Sequence, residues 1–489
     1  MNSIEWLEIA PREPFYSLIP QETPLLEEYE QGFSVQDMFQ VGSVGIVTGK
    51  DRIFIANNTE SLKEQVLRYC NEFNEQCIKD IHYRPFDIRK VYYDTKKLER
   101  ARENTFKHML PPPPPTNPKT PNQTCKNVAL NTPRQLKNND KSWTQCFISS
   151  SINDQGLSSG GNGAGVNYPL YRFRDPNYTE NFTPEFRSFI DKHYSHHFEP
   201  LEVLGYIYAL LYSPNYRKRY EDFLKIDYPK ILFTNNKDLF RVLSLLGIEL
   251  IGLHVLNKEI LNYSFEKLKD ATIGESYYSP SSKLTEVHDR IIKKPTYNEP
   301  EQRLYINHSA YFRGVSQEIY DYRIGGYCVL DKYLKSHKNE PCDFDHVTHI
   351  IKVIACTIEI QKTLGFLTSD LPHLKGNDSQ ALMQEILQNP PPPPPHLIPI
   401  SPLSYRAKPK PSEILTLMPH SSAKKQAITT STAEVGDQLS LYSALSNLAL
   451  VCDRGSKVSP ISNVFVTNML CDLHVNGSGS YAFLLYRLT

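Results

Sequence analysis

The sequence predicts an α+β protein. Its first half is mixed with short strands, its second half is largely helical, and a β segment is partly duplicated at the C-terminus. Three observations carry this. Short apolar runs broken by Gly and Pro fill the first 175 residues. From about residue 184, apolar residues recur at helical spacing. A pattern beginning at Asn127 returns at Asn447.

The elements follow in order. Strand-like runs at Val44–Val47 and Ile53–Ala56 flank a Gly49 turn. A helix follows, with Ser61 and Glu64 placed as a capping box and an apolar stripe of Leu62, Val66, Tyr69, Cys70 and Phe73. The next stretch, HYRPFDIRKVYYDTKKLERARENTFKHML (His82–Leu110), acquires a helical period from about Lys96 to Met109. Pro111–Pro115 reads as a stiff polyproline spacer. Residues 125–173 read as short strands around a Gly/Ser-rich loop. Ser213 and Pro214 suit the N-cap and first turn of a helix carrying Tyr216, Tyr220, Phe223 and Leu224. Asn236 can cap a helix apolar on nearly every side, so buried. Residues 262–320 are polar and Tyr-rich, consistent with strands and long loops. A last long helix runs from about Asp343 to Leu364. A second proline run, Pro390–Pro395, precedes the repeated pattern. In both copies an Asp stands seven residues after a Phe: Asp154 after Phe147, and Asp472 after Phe465. The expected parts are 1–175, 176–375 and 376–489, the last a proline-rich linker and degenerate second copy forming a weakly ordered appendage.

Composition narrows the function. The 489 residues carry no formal net charge, so an argument for a polyanionic partner must be local. No run of about 18 apolar residues occurs, so no membrane partner is expected. Nine cysteines, odd in number and without a C-x-x-C pair, suit reduced thiols and a cytoplasmic location. GSVGIVTGKD approaches a phosphate-binding loop, but Val44 stands at the first required glycine and Asp51 at the metal-holding hydroxyl. His193, His196 and His197, like His346 and His349, lack partners at metal-ligand spacing. No catalytic constellation and no cofactor are called for. The local exception is the stretch from His82 to Leu110, with eight Lys and Arg, three Tyr and two Phe. Cations at Arg84, Arg89, Lys90, Lys96, Lys97, Arg100, Arg102 and Lys107 can neutralise phosphates, and interleaved rings can pack on sugars or bases. An amphipathic, solvated surface is the competing reading.

Taken in order, GIVTGKD, YRPFD, the Arg-rich run to HML, NVAL, FISSSIND and YPLY resemble the target-recognition region of Type ISP restriction–modification enzymes. YIYALLYSPNYRKRYEDFLKIDYPKI and GGYCVLDKYLKSHK continue that likeness into the C-terminal specificity domain. The resemblance spans about residues 5–370. It implies sequence-specific recognition of double-stranded DNA. The DNA-binding residues it implies are Thr48, Lys50, Asp51 and Arg52 in the TGKD loop, Arg84, Arg89, Lys90, Tyr92, Tyr93, Arg100 and Arg102 in the basic stretch, and Arg134 with Gln135. Complete members are adenine-specific methyltransferases and ATP-dependent endonucleases. Their catalytic motifs are not found here, so a separate polypeptide would carry the methyltransferase and nuclease–helicase domains. Two alternatives stay open: a fragment of such an enzyme that itself modifies DNA, and a remnant that folds without binding.

Overall fold

The computed structural model describes residues 23–110, 127–136, 142–158, 164–174, 177–278, 290–370 and 379–394. The first proline run, most of the 376–489 segment and the whole second repeat copy, with Asp472, lie outside the described residues.

Along the chain the strands are β1 (Phe33–Ser34), β2 (Ser43–Val44), β3 (Ile55–Ala56), β4 (Ile78–Arg84), β5 (Asp87–Tyr92), β6 (Ala129–Pro133), β7 (Phe147–Ser149) and β8 (Ile152–Asn153). They continue as β9 (Gly165–Pro169), β10 (Tyr171–Arg174), β11 (Asn177–Glu180), β12 (Lys230–Ile231), β13 (Ser276–Tyr278), β14 (Thr296–Asn298), β15 (Arg303–Tyr305) and β16 (Ala310–Phe312). Three four-stranded sheets result, in the orders β3-β5-β4-β8, β2-β9-β6-β7 and β13-β16-β15-β14. This is the mixed α+β architecture the sequence predicts.

The two runs flanking Gly49 do not form one hairpin. β2 pairs with β9 and β3 with β5, so they belong to different sheets. Residues Asp51–Phe54 between them make a helical turn instead. Backbone geometry separates them: Gly49 has φ +71°, and a side chain on Gly45 would fall 2.4 Å from the Asp154 carbonyl carbon. The chain at Gly45 therefore lies directly on the β8 end, where the Ile46 amide donates to Asn153 at 2.9 Å. These two glycines account for a motif that resembled a phosphate loop.

The first long helix is Thr59–Cys70, and its cap is Asn58 rather than Ser61. The Asn58 side chain accepts from the Ser61 amide at 2.8 Å, so Ser61 is already inside the first turn. Leu62 and Val66 are buried as the stripe predicts, but Tyr69 stands half exposed. The helix expected from Lys96 to Met109 shrinks to Glu103–Phe106. Arg102 sits in the left-handed region at φ 53°, and its carbonyl accepts from the Thr105 and Phe106 amides. The turn before it is held by the Tyr93 hydroxyl donating to the Ala101 carbonyl at 2.8 Å.

The helical half forms as its periodicity indicates. Ser213 caps Pro214–Arg219, Asn236 caps Lys237–His254, and Asp343 caps Phe344–Leu367. The helix expected to carry Tyr216 through Leu224 breaks at Tyr220 into two short ones. Helices Pro200–Tyr212 and Lys237–His254 cross where Gly205 faces Gly247; a Cβ on Gly247 would fall 1.8 Å from the Gly205 carbonyl oxygen. Around that crossing Tyr206, Tyr208, Tyr212 and Tyr216 are buried, each hydroxyl with a partner, which offsets the cost of burying it. This main core runs from Tyr29 to Met383 and takes in the β6-β7-β9 sheet. A smaller core lies under the hairpin, built from Phe54, Leu62, Ile81, Val91, Phe106 and Ile152 among others.

Candidate nucleic-acid interface

The β4–β5 hairpin is the scaffold of the basic stretch. It pairs antiparallel from Ile78↔Tyr92 to Arg84↔Asp87, with an irregularity between His82 and Arg84. Adjacent residues on both strands are buried, Ile81 with His82 and Val91 with Tyr92, so both faces of the hairpin are covered there and packing rather than alternation decides which side chains reach solvent. Tyr92 and Tyr93 go inward, with relative exposures of 2% and 8%. The Tyr92 hydroxyl accepts from the Asn74 amide at 3.0 Å. Both rings therefore belong to the smaller core, so the expectation that they contact DNA finds no exposed ring face at either position. His82 is also fully buried, and burial lowers its pKa to about 4.

Tyr83, half buried beside them, is the ring that organises the outer face. The Arg84 and Arg89 guanidinium carbons stand 4.1 and 4.4 Å from its ring centroid. Its hydroxyl donates to Asp51 at 3.1 Å. Arg84 pairs with Asp154 at 2.6 Å, and Tyr327 from the helical half stands 5.6 Å from the same guanidinium. Residues far apart in sequence, Asp51, Arg84, Arg89, Asp154 and Tyr327, thus form one cluster. Burial raises the Asp154 carboxyl above its ordinary value, and Arg84 pulls it back only in part. Lys332 nearby is lowered by burial and by the two arginines.

The TGKD loop joins this face. Thr48 is buried and its hydroxyl donates to Asp51, which ties the loop to its helical turn. Lys50 is exposed and lies 4.5 Å from the Tyr69 ring centroid, with its ammonium bonded to that hydroxyl. Arg52 is exposed and makes no ion pair with another described residue. Arg100 enters through the backbone, exchanging hydrogen bonds of 2.9 and 3.0 Å with Val47.

Charge on this face is largely balanced within the protein. Arg89 is bidentate to the buried Asp87, Lys90 pairs with Asp80 at 2.5 Å, and Lys97 pairs with Glu72 and Asp94. Arg100 keeps a side chain 55% exposed and only a 3.6 Å contact with Glu99. Lys96 and Lys107 make no ion pair with another described residue. Arg102 is half buried, and its Nε has no hydrogen-bond partner. Arg134 and Gln135 stand apart, at the end of β6. Arg134 pairs with Asp227 at 3.0 Å, and the Gln135 side chain is exposed without a described hydrogen bond. No described contact joins this pair to the Tyr83 cluster.

Sequence reading missed Tyr83, Asp154, Tyr327 and Lys332 as members of the cluster. Asp154 had a signal, the seven-residue spacing shared by both repeat copies. Tyr327 and Lys332 had none, because only the packing of the helical half brings them here. Among the described residues no group of three or more His, Cys, Asp and Glu is placed to hold a metal ion. His193 and His346 instead bond to the Thr234 and Phe86 carbonyls.

The family model for the Type ISP C-terminal specificity domain matches residues 70–363. The chain belongs to that family. No curated protein matches it. Among solved structures, the specificity domain resembles a nuclease-deletion mutant of the Type ISP restriction–modification enzyme LlaGI in complex with a DNA substrate mimic. There the TM-score is 0.53 at 18% identity, covering 76% of this chain and 36% of that one. The ATP-dependent Type ISP enzyme LlaBIII bound to DNA gives 0.53 at 17%, covering 73% and 26%. A DrdV–DNA complex gives 0.51 at 17%, covering 67% and 36%. The chain thus spans between a quarter and about a third of the length of these structures, and at such identities the likeness is one of fold.

Proposed function

We propose that this chain reads a target sequence in double-stranded DNA for a restriction–modification system. The observation that carries the reading is the specificity-domain match over residues 70–363, which contains the whole β4–β5 hairpin and Arg100, Arg102, Arg134 and Gln135. The three solved structures named above are DNA complexes, which supports the same partner. In this reading the cations without a strong internal partner, Arg52, Lys96, Arg100 and Lys107, contact phosphates and set the register. Gln135, exposed and without a hydrogen bond to another described residue, is suited to a bidentate contact with adenine. Arg84, Arg89 and Lys90 shape the surface, because reaching a phosphate would require them to leave Asp154, Asp87 and Asp80. Thr48 and Asp51 fix the loop that presents Lys50 and Arg52. Methyl transfer and cleavage are assigned to methyltransferase and nuclease–helicase domains on a separate polypeptide, and the place of action to the cytoplasm. The six described cysteines are all free, which suits that compartment.

The test is selection of bound duplexes from a randomised pool by the purified full chain. Enrichment of one short sequence is expected. Gln135→Ala should relax preference at one base position, at a cost of about 1–3 kcal/mol for the favoured base. Recovery of unenriched sequences at every salt concentration would overturn the reading.

A further inference from the structure

The sheet β13-β16-β15-β14 has one face in the core, through Leu304, Ala310 and Phe312, and one face turned out. Alternation places Tyr305, Tyr311 and Tyr277 on the outer face. Their strand register is direct: Tyr277 opposite Tyr311, and Tyr311 opposite Tyr305. The ring centroids follow one another at 5.0 and 5.1 Å. Tyr277 is 50% exposed, and the other two are half buried. Three neighbouring aromatic rings form a contiguous row across an open sheet face, more than cross-strand pairing alone requires of a solvent-facing surface.

The surroundings indicate what covers them. The Arg303 guanidinium stands 4.5 Å from the Tyr311 ring centroid. Beyond Tyr305 the face drops into a concave pocket of about 680 Å³, lined by Lys293, Lys294, Thr296, Asn298 and His308 among others. Lys293 and Lys294 are exposed and form no ion pair with another described residue. Their backbone amides both donate to the Ile306 carbonyl, so the two lysines are carried on a fixed edge of the sheet.

We propose that this face is a stacking platform for unpaired nucleotides of a single-stranded polynucleotide. Bases lie on Tyr277, Tyr311 and Tyr305, Arg303, held by Glu301 at 3.0 Å, packs its guanidinium plane against Tyr311, and the backbone phosphates run to Lys293 and Lys294. Every base has a π-face, so such a platform is tolerant of sequence, and flanking cations track the phosphates. A proline-rich peptide would also suit a row of tyrosines but would make no use of the two exposed lysines or the stacked guanidinium. The platform uses none of the residues assigned to duplex reading, and it does not depend on that reading.

The experiment measures fluorescence anisotropy of a dye-labelled oligo-dT with the full chain, beside a random duplex and a polyproline peptide as competitors. Salt-dependent binding of oligo-dT is expected. Tyr277→Ala with Tyr311→Ala should weaken it by about tenfold or more. Tyr277→Phe with Tyr311→Phe keeps the rings and should restore it. Lys293→Gln with Lys294→Gln should lower the salt slope by about 1.4. Duplex binding should be unchanged in all three variants, with thermal melting confirming that each is folded. No binding of oligo-dT by the parent chain, equal binding by the folded double Ala variant, or displacement of oligo-dT by polyproline but not by unlabelled oligo-dT would each overturn the proposal.

Discussion

Two surfaces of this protein are made from the same ingredients, tyrosines and cations on a small antiparallel scaffold, and they use them in opposite ways. On the β4–β5 hairpin, two of the three tyrosines turn into a core and most cations find carboxylates: Arg84 with Asp154, Arg89 with Asp87, Lys90 with Asp80. On the β13-β16-β15-β14 sheet, Tyr277, Tyr305 and Tyr311 stay on the outer face, Arg303 pairs with Glu301 at 3.0 Å, and Lys293 and Lys294 form no ion pair with another described residue. Density of Lys, Arg and Tyr in sequence therefore does not measure how cationic or aromatic a surface is. What matters is whether acidic residues lie within reach, and whether other elements pack over the rings.

The largest expected effect tests the ring orientation. Tyr92→Ala removes a core ring and should cost about 3–5 kcal/mol in denaturant unfolding, whereas Tyr277→Ala should stay within about 0.5 kcal/mol. Equal costs at the two positions would erase the distinction between the surfaces.

The next effect concerns pH. His82 is buried and neutral, with its pKa held near 4 against an ordinary 6.5. The unfolded chain binds its proton first as pH falls, so stability should be full above about pH 6.5 and decline toward pH 4. The loss approaches about 3 kcal/mol from this residue. His254 in the helical half, lowered to about 3 by burial, adds a decline of the same sign that extends further into acid. His82→Gln should flatten the upper part of the profile; an unchanged slope between pH 6.5 and 4 would place the acid sensitivity elsewhere.

Arg84→Ala is expected to cost about 2–3 kcal/mol, because Asp154 is left in a mostly buried position without its cation. A midpoint equal to that of the parent would mean that Asp154 simply takes a proton or a water there. Smallest in stability is Arg100→Ala, which should leave the unfolding midpoint within about 0.5 kcal/mol. It should lower the salt slope of duplex binding by about 0.9. If Arg84→Ala and Arg100→Ala changed the slope equally in folded protein, the division into paired and available cations would not describe the hairpin face.

By itself the sequence determined the fold class, the helix starts that Ser213 and Asn236 cap, the long helix from about Asp343, the buried helix through Leu243 and Leu250, and the stretch that holds the cation-rich hairpin. These rest on local signals: a capping side chain, a 3.6-residue period, a composition. It could not place Asn58 above Ser61 as a cap, because both residue types suit that position and only the backbone at Asn58, extended at φ −143°, decides. Tertiary structure decided the rest. Ion pairs such as Arg84–Asp154 span 70 positions, Tyr327 reaches the same guanidinium from the helical half, and the tyrosine row on the outer sheet needs strands from residues 276 to 312 in register. A side chain's charge is written in its own residue, but whether that charge is available to a partner depends on which distant residue the fold sets beside it.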